Sequence, residues 1–448
     1  MPEIAGCLLL AILLSGTSAE AADVIRGPYL QRVSRSQAIV RWRTDVATGS
    51  QVWWGDSPEA LVHHRLLPDP VTEHRVEIGP FQPRQTVYYK IGWGAGLFGG
   101  PVSRFRTLRA AGDWRPVRLW ALGDSGRANA DAAAVRDGYS LYTGGELPDF
   151  LVMLGDNAYL EGTDEQYQAA VFDFYPVTLA GSALWPALGN HDAVSSDSPT
   201  QSGPFFDSFS LPRGAEAGGI SSGTEAWYSF DAGQIHLVAL DSADSDCAPG
   251  SPMLLWLAAD LAANTRPWTV VYFHHPPYTK GTHDSDDPAD SDGRMTTMRE
   301  NVLPILEAHG VDLVLSGHSH GYERSYLIDG HYGTSDSFQP SMLLDGGDGD
   351  PDGDGAYSKS DGAHGGTVYV VGGSSGGATG KIGVHPAMAV GLVVAGSLDI
   401  VAEDDRLDVR FIDSDGLVGD HFRIVEGGLV FADGFESDDF VEWSLAVP

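Results

Sequence analysis

The stretch FLVMLGDNAY, residues 150–159, joins five consecutive apolar side chains to a Gly-Asp turn. An apolar run without alternation is typical of a strand that is buried on both faces of a sheet. Val117–Leu122 has the same character, broken only by Arg118, and it also ends in Gly-Asp. Because ligands bind beyond the carboxyl ends of strands in α/β sheets, Asp124 and Asp156 mark the expected functional edge.

The sequence around these two strands predicts strands alternating with helices over residues 116–426, the pattern of α/β layering. Thr163–Gln166 is a capping box that opens one helix, and Ser251-Pro252 opens another. A third helix is predicted over Met295–His309, kinked at Pro304 and closed by Gly310. The further strands predicted here are Gln234–Leu240, Trp268–Phe273, Val311–Leu315, Val368–Val371 and Leu398–Ala402.

Residues 24–108, upstream of a polar hinge, have a different pattern of short β-type runs separated by Gly, Pro and Asp clusters. This spacing predicts an all-β sandwich domain. Three histidines in it, His63, His64 and His74, lie outside any carboxylate motif, and we expect them at the surface. The predicted strands are Ala38–Thr44, Gln51–Trp54, Glu73–Ile78, Val87–Trp93 and Val102–Thr107.

Residues 1–21 are interpreted as a secretory signal peptide, because an apolar run, Cys7–Leu14, is followed by small residues with an A-x-A site at Ala19–Ala21. The protein is therefore expected to be secreted or periplasmic. Cleavage would leave Cys247 as the one cysteine, which is either a buried thiol or an intermolecular bridge, and we expect the buried thiol. Residues 427–448 resemble a short C-terminal tail of exported bacterial proteins, without chemistry of its own.

The composition is strongly acidic, with 61 Asp and Glu against 27 Lys and Arg and a formal net charge of −34. A surface of this charge repels phosphate backbones and anionic headgroups, so neither a nucleic-acid nor a membrane partner is expected. Cations, in contrast, are concentrated near it. The sequence leaves the oligomeric state open.

Five short motifs at the ends of predicted strands offer carboxylate, imidazole, amide or phenol groups. An aspartate can bridge two cations, histidine supplies a neutral nitrogen, and asparagine supplies an uncharged oxygen. A glycine before the ligand lets the backbone approach an ion closely. Together the motifs suffice for two metal ions. They are Gly123-Asp124-Ser125-Gly126, Gly155-Asp156-Asn157-Ala158-Tyr159, Gly189-Asn190-His191-Asp192, His274-His275-Pro276 and Gly317-His318-Ser319-His320.

The chain resembles the purple acid phosphatase branch of the calcineurin-like metallophosphoesterase superfamily. Tyr159 and the ending Gly317–Arg324, GHSHGYER, carry the resemblance, and Gly27–Gln31, GPYLQ, looks like the start of the fibronectin-III-like domain of larger members. The resemblance implies an α/β (α+β) fold: a four-layer metallophosphoesterase β-sandwich flanked by helices, preceded by an all-β fibronectin-III-like domain.

The resemblance also implies a ligand set. Fe³⁺ would be held by Asp124, Asp156, Tyr159 and His320. A divalent ion (Zn²⁺, Mn²⁺ or Fe²⁺) would share Asp156 and add Asn190, His274 and His318. His274 is preferred to its neighbour His275 because the family's ligand directly follows the apolar strand. His191 and His283 would contact the phosphate and protonate the leaving group, whereas Glu323 and Arg324 are expected to have structural roles.

The predicted function is hydrolysis of small phosphate monoesters by a metal-bound hydroxide, in an acidic range. A phosphodiesterase or nucleotide hydrolase with the same centre is the alternative, since the ligands do not choose between monoester and diester. A secreted, non-enzymatic metal-binding or adhesion protein is a further reading. The intact ligand set argues against it.

A second metal site is suggested by an Asp/Gly-rich stretch whose spacing fits a calcium-binding loop without flanking helices. The expected Ca²⁺ ligands are Asp350, Asp352, Asp354 and Asp361. A solvated acidic loop is the alternative.

Overall fold

A computed structural model describes residues 22–93 and 96–427. The predicted signal peptide, residues 1–21, and all but the first residue of the predicted tail, 427–448, lie outside the described residues. No helix within the described part is long and apolar enough to cross a membrane.

The N-terminal region is all-β, with every strand in one six-stranded sheet. Two predicted strands are the halves of one 18-residue strand, whose first half pairs with β1 and whose second half pairs with β4. The region is consistent with a fibronectin-III-like domain, as predicted. Its strands are β1 Val24–Gln31, β2 Ala38–Gly55, β3 His63–Ile78, β4 Thr86–Trp93, β5 Gly96–Leu97 and β6 Ser103–Arg106.

His74 corrects one prediction for this region, because it is fully buried whereas His63 and His64 are exposed. Its ring stacks on Trp42 at a centroid distance of 4.6 Å. Its two nitrogens each lie 2.8 Å from a hydroxyl group, of Thr44 and of Ser50. Burial lowers the pKa of His74 to about 4, so it is a neutral core residue.

The remaining strands form two seven-stranded sheets and one two-stranded antiparallel sheet, β15-β16. One sheet has the order β17-β22-β21-β20-β7-β8-β9 and the other β10-β11-β12-β13-β18-β14-β19. The strands are β7 Val117–Leu122, β8 Phe150–Met153, β9 Ala183–Pro186, β10 Tyr228–Ala232, β11 Ile235–Ala239, β12 Trp268–Tyr272, β13 Leu313–Ser316, β14 Tyr322–Ser325, β15 Leu327–Ile328, β16 Leu343–Asp345, β17 Tyr357–Lys359, β18 Val368–Gly372, β19 Met388–Leu392, β20 Gly396–Glu403, β21 Arg406–Asp413 and β22 Val418–Glu426.

The second sheet separates two hydrophobic cores, because successive side chains of a strand point to opposite faces. Val270 and Tyr272 of β12 belong to the core shared with the first sheet, which includes Leu119 and Ile400. Val271, between them, belongs to the other core with apolar residues of the long helices. The second sheet is therefore covered on both faces, which explains the continuous apolar runs of its strands, and the predicted fold class is confirmed.

The helices lie between the strands as predicted, although several are short. Thr163 and Gln166 make the predicted capping box. The helix around Pro304 contains a π-helical turn, Met298–Val302, which makes room for the proline ring one turn before it. The α-helices are α1 Ala130–Tyr142, α2 Asp164–Tyr167, α3 Pro176–Gly181, α4 Pro204–Ser208, α5 Pro252–Ala263, α6 Arg294–Thr297 and α7 Leu303–Ala308.

The N-terminal sheet is joined to the second region by a buried arginine, Arg26, and a half-buried one, Arg43. Arg26 Nη2 and Arg43 Nη2 lie 3.0 and 2.8 Å from Oδ1 of Asp164, at the start of α2. Arg26 Nε also donates to Gln168, at 2.6 Å. The segment just after Tyr159 is thus fastened to the N-terminal region.

Cys247 is a free buried thiol, as predicted. The predicted domain boundaries, 24–108 and 116–426, stay predictions.

Candidate metal centre

The predicted ligands converge from the ends of two groups of parallel strands. β7, β8 and β9 are parallel neighbours in one sheet, and β12 and β13 are parallel neighbours in the other. The motif residues lie within a few positions of the last residue of each strand. Two sheet edges therefore present their ligand-bearing turns to one point. Their assignment as metal ligands stays a prediction.

One group of predicted ligands gathers around Asp124. The Tyr159 hydroxyl donates to Asp124 Oδ1 at 2.9 Å and lies 3.2 Å from Nε2 of His320. That nitrogen is 3.4 Å from the same Asp124 oxygen. A carboxylate, a phenol and an imidazole thus face a common point, and they are three of the four groups expected to hold Fe³⁺.

A second group gathers around His274. Its Nε2 atom lies 2.8 Å from Asn190 Oδ1, 3.3 Å from Asp156 Oδ1 and 3.2 Å from Nδ1 of His318. Its Nδ1 atom contacts the carbonyl oxygen of Leu154 at 3.0 Å, which orients the ring. These are the four groups expected to hold the divalent ion.

Asp156 connects the two groups. One ligand atom each of Asp124, Asp156 and His274 lie within 4.8 Å of one another, and all three residues are buried. A shared carboxylate between two such groups is the arrangement that a bridged pair of cations requires.

The backbone of this site is strained and tightly packed. Asp124, Asp156 and His318 have φ angles of 57°, 54° and 69°, in the left-handed region that side chains avoid. A Cβ atom at Gly189 would lie 2.0 Å from the backbone nitrogen of Asp156, and one at Gly317 would lie 2.5 Å from Asp124 Oδ2. The close packing of these turns therefore requires glycine at both positions, and the predicted approach of the backbone to an ion stays a prediction.

Electrostatics at the centre favour bound cations. Burial, with the charges of Asp124 and Asp156, raises the pKa of the Tyr159 phenol far above its usual value, so a phenolate here requires a strongly charged cation beside it. Burial and the neighbouring histidines hold the pKa of His318 well below its usual value. His318 is therefore a neutral imidazole with a lone pair to donate.

Asp192 fastens the turns that carry the ligands. Its carboxylate accepts hydrogen bonds from the backbone N–H groups of Gly189, at 2.9 Å, and Asn157, at 3.1 Å, and from the Tyr167 hydroxyl. Burial and the charge of Asp156 raise its pKa to about 6. Asp192 thus ties two ligand loops together beneath the centre.

His191 lies beside the centre, where the resemblance predicts a phosphate-binding residue. Its Nδ1 donates to the carbonyl oxygen of Leu160 at 2.6 Å, and its ring lies 4.5 Å from that of Tyr159. Its Nε2 is 3.8 Å from Asp156 Oδ2. Because Nδ1 donates its hydrogen bond to a carbonyl oxygen, Nε2 is the ring nitrogen that can bind a substrate.

His283 also lies at the centre, beside a predicted ligand of the divalent ion. Its ring stacks on His318 at a centroid distance of 3.9 Å. Its Nδ1 lies 2.8 Å from Asp290 Oδ1, so it pairs with a carboxylate as His191 pairs with a carbonyl. Ser291 Oγ lies 2.6 Å from Nε2 of His318 and orients that ring.

The contacts of His274 and His275 distinguish these two candidate ligands. His275 Nδ1 lies 3.0 Å from the hydroxyl of Ser242, and burial together with the charge of His274 lowers its pKa well below the usual value. His275 also lies close to His318. His274 alone of the two contacts Asn190 and Asp156, which favours the predicted choice.

Glu323 and Arg324 have the structural contacts expected of them, but with different partners. Glu323 accepts a hydrogen bond from the backbone N–H of Lys280 at 3.0 Å and another from the Thr279 hydroxyl. It therefore holds the start of the loop that leads to His283. Arg324 pairs with Asp420, its Nε lying 2.7 Å from Oδ2.

The predicted calcium ligands are only partly brought together. Asp350 and Asp352 form one candidate group with His421. Asp354 instead accepts a hydrogen bond from the backbone N–H of Asp348 at 2.9 Å. Asp361 belongs to no candidate group among residues 22–93 and 96–427. Calcium binding at this loop stays a prediction.

Three residues at the centre were not predicted from the sequence: Arg127, Asp290 and Ser291. Arg127 directly follows the Asp124 motif, and this adjacency is a signal that could have identified it. Asp290 and Ser291 lie in the Asp-rich loop 284–292, where nothing in the pattern distinguishes one aspartate from the next.

Comparison with known proteins agrees with this geometry. Residues 117–322 match the family described as Calcineurin-like phosphoesterase. Purple acid phosphatase 22 of Arabidopsis thaliana is 31% identical over 257 residues, which cover 56% of this chain and 53% of that protein. Purple acid phosphatase 18 of the same plant is 26% identical over 336 residues, covering 70% of this chain and 69% of that protein. The chain thus spans about half the length of the first of these relatives.

Solved structures share the fold. A purple acid phosphatase, PPD1, from yellow lupin (Lupinus luteus) seeds superposes with a TM-score of 0.66 at 17% identity, over 90% of this chain and 75% of that chain. The structure of PhoD superposes with a TM-score of 0.59 at 14% identity, over 87% of each chain. At these identities the likeness establishes the fold alone.

Proposed function

We propose that this chain, whose residues 117–322 form a calcineurin-like phosphoesterase domain with purple acid phosphatases among its relatives, hydrolyses small phosphate monoesters with two metal ions. The proposed ions are Fe³⁺ and a divalent cation, Zn²⁺, Mn²⁺ or Fe²⁺. The class is that of the acid phosphatases.

One observation carries the proposal: the side chains of the five strand-end motifs meet at one point in two groups joined by Asp156. The donor set fits two cations of different character. A phenol and carboxylates suit a hard trivalent ion, whereas two imidazoles and an amide oxygen suit a divalent one. Bound there, the two ions would supply Lewis acidity that acidifies the attacking water and neutralises charge on the phosphoryl group.

The protein's own groups supply orientation and proton transfer. His191 and His283 each use Nδ1 to bind a fixed acceptor, Leu160 O or Asp290 Oδ1. Each therefore offers Nε2 to the substrate, His191 to a phosphoryl oxygen and His283 to the leaving-group oxygen. A histidine held in this way can donate a proton without first reorienting.

Turnover and metal content test the proposal together. Purified protein loaded with iron and zinc should hydrolyse p-nitrophenyl phosphate and hold two metal ions per chain. Asn190→Ala should lose the divalent ion and the activity. A wild-type protein that holds both ions yet hydrolyses neither monoesters nor diesters would favour the non-enzymatic, metal-binding alternative.

The visible spectrum tests the iron assignment separately. A phenolate bound to Fe³⁺ gives a broad charge-transfer band, so the wild-type protein should be violet and Tyr159→Phe should not. A colourless wild type that contains two zinc ions and remains active would remove the purple assignment and leave the phosphoesterase assignment in place.

The diesterase alternative requires a substrate comparison, because the ligand set is common to both reactions. Monoesterase function predicts a higher kcat/KM for p-nitrophenyl phosphate than for bis(p-nitrophenyl) phosphate. A higher kcat/KM for the diester would instead indicate that the protein is a phosphodiesterase. Nucleic acid and membranes are not proposed as partners, because the net charge is −34.

Export and calcium binding are separate proposals that rest on sequence. Removal of residues 1–21 predicts a mature chain that begins near Ala22, which N-terminal sequencing of exported protein would test. Calcium binding at the Asp350 loop predicts a difference in calcium titrations between wild type and Asp352→Ala. Equal titrations would remove it.

A further inference from the structure

Arg127 is exposed at the rim of the metal centre and contacts two predicted ligands of the iron. Its guanidinium carbon lies 5.0 Å from the centroid of the Tyr159 ring, and its Nη2 lies 3.3 Å from Nδ1 of His320. Among the described residues, these are the contacts of its guanidinium, and neither is with a carboxylate. Its charge is therefore not neutralised by an ion pair.

The contact with His320 depends on which ring nitrogen carries the proton. A guanidinium only donates hydrogen bonds, so Nδ1 of His320 must accept and the proton must lie on Nε2. Yet Nε2 is the nitrogen that faces Asp124 and Tyr159, at 3.4 and 3.2 Å. If His320 binds a metal through Nε2, its proton must lie on Nδ1, and two N–H groups cannot bond to each other. Arg127 then requires another acceptor.

The surroundings keep the guanidinium at this rim. Its attraction to the Tyr159 ring does not depend on the proton of His320. The backbone N–H of Tyr159 bonds to the carbonyl oxygen of Gly126 at 3.0 Å, which fixes the turn before Arg127 to the ring that it contacts. The acceptor must therefore come from solution, at the mouth of the metal centre.

A phosphate group is the acceptor that this position fits. Arginine presents two parallel N–H groups that match two oxygens of a phosphate, whereas lysine presents a single point charge. His191 contacts the same Tyr159 ring at 4.5 Å, so both side chains flank one ring. In a chain with a net charge of −34, a cation at the entrance also offsets the repulsion of an incoming anion.

We propose that Arg127 binds the phosphate group that is transferred, from the side of Tyr159 and His320, in addition to His191 and His283. This inference rests on the proposed phosphoesterase function and names a further substrate-binding residue for it. Arg127 contributes affinity for the phosphate, and its loss leaves the metal ligands in place.

Calorimetric titration with inorganic phosphate tests this without turnover. The full chain, loaded with both metals, is compared as wild type, Arg127→Ala, Arg127→Lys and Arg104→Ala, the last removing an exposed arginine from β6 of the N-terminal sheet. We expect the Kd for phosphate to rise by about tenfold or more in Arg127→Ala, the size of a lost charged hydrogen bond. Arg127→Lys should be intermediate and Arg104→Ala unchanged, with two metals in each protein.

The outcomes separate this inference from the proposed function. An unchanged Kd in Arg127→Ala with both metals retained overturns the inference and leaves the phosphoesterase function intact, and this result is also expected if Arg127 binds only a second anionic group of the substrate. Loss of iron in Arg127→Ala overturns it as well, because Arg127 would then support His320. A wild type that binds neither metals nor phosphate overturns both.

Discussion

Two clusters of histidines and carboxylates lie at opposite ends of two neighbouring parallel strands, β11 and β12, and their chemistry differs. His236, on β11, lies beside Thr269 of the parallel strand β12, and His274 follows five residues later, roughly 16 Å along the strand direction. His236 has a carboxylate for each nitrogen, Asp231 and Asp260, both at 2.8 Å. His274, in contrast, shares one point with several ligand groups.

The two clusters differ in how completely their hydrogen-bonding atoms are paired within the protein. In the His236 cluster, the remaining carboxylate oxygens are also satisfied: Asp260 Oδ1 accepts from Ser229 at 2.9 Å, and Asp231 Oδ2 from Arg266 at 2.9 Å. Burial would lower the pKa of His236, but the two carboxylates raise it to about 9, so the charges balance within the protein. In the His274 cluster, by contrast, an imidazole nitrogen, an amide oxygen and a carboxylate oxygen face one another across a common point, an arrangement that a bound cation would satisfy. Full pairing thus indicates a structural cluster, and incomplete pairing indicates a functional one.

Asp156→Asn should have the largest effect on this contrast. The change preserves shape and removes the charge between the two ligand groups. We expect kcat/KM for p-nitrophenyl phosphate to fall by about 10³-fold, because metal polarisation contributes several kcal/mol to transition-state stabilisation. The metal content should also fall below two ions per chain. Steady-state kinetics and elemental analysis measure both.

The matched control for this change is Asp231→Asn, the same substitution in the closed cluster. It should lower the thermal midpoint and leave kcat/KM and metal content unchanged at a temperature where the variant is folded. If Asp231→Asn reduced activity as strongly as Asp156→Asn, completeness of pairing would not separate structural from functional clusters.

His236→Gln should have the next largest effect, and on stability alone. Its raised pKa, about 9 against an ordinary 6.5, means that the folded protein holds the proton more tightly than the unfolded chain. The shift corresponds to about 3 kcal/mol. This contribution is fully present below pH 6.5 and is lost as the pH rises through about 9. The difference in unfolding free energy between wild type and His236→Gln should therefore be larger at pH 6.5 than at pH 9.5.

Denaturant unfolding at the two pH values measures this difference. His309→Gln, which changes a half-buried histidine near the end of α7, controls for loss of a histidine elsewhere. If the difference in unfolding free energy between wild type and His236→Gln were the same at both pH values, His236 would be neutral in the folded protein. The cluster would then not be charge-balanced.

Metal removal should have a smaller effect on stability, and this effect should depend on Asp156 but not on His236. Ions that bind only the folded protein stabilise it by about 2.7 kcal/mol at a concentration 100 times Kd. A chelator should therefore lower the thermal midpoint of wild type and of His236→Gln by similar amounts. It should have little effect on Asp156→Asn, whose centre binds the ions poorly. Equal effects on all three proteins would contradict a stabilising ion at Asp156.

The sequence predicted most of the fold because the apolar runs are continuous and the turns are punctuated by glycine. FLVMLGDNAY, residues 150–159, and the similar strand before Asp124 identified the functional edge from local pattern alone. Pairings between distant segments were not predictable. The partner Asp260 of His236 lies on a helix 24 residues away, and His74 is buried by stacking on Trp42 of the neighbouring strand. Such pairings depend on register and packing, which no local pattern encodes.

His283 is the intermediate case in this comparison, since it has its own carboxylate partner but lies at the metal centre. Burial would raise the pKa of Asp290, but the hydrogen bond from the backbone N–H of Asp284 and the contact with His283 outweigh it, so its pKa lies below the usual value. Asp290 is therefore an anion that holds His283 in position. Asp290→Asn should lower kcat by about tenfold, the usual contribution of a supporting partner.

The leaving group determines how strongly Asp290→Asn acts. An alkoxide needs a proton as it departs, whereas p-nitrophenolate leaves without one, so the loss in kcat should be greater for an alkyl phosphate than for p-nitrophenyl phosphate. Asp292→Asn, an exposed aspartate of the same loop, should change neither value. Equal losses on the two substrates would mean that Asp290 only supports the loop, and that His283 is not the proton donor. A selective loss would assign proton donation to His283, which pairs with a carboxylate through Nδ1 and offers Nε2 to the substrate. One carboxylate partner would then be compatible with a functional histidine, in contrast to His236, whose two nitrogens are both paired.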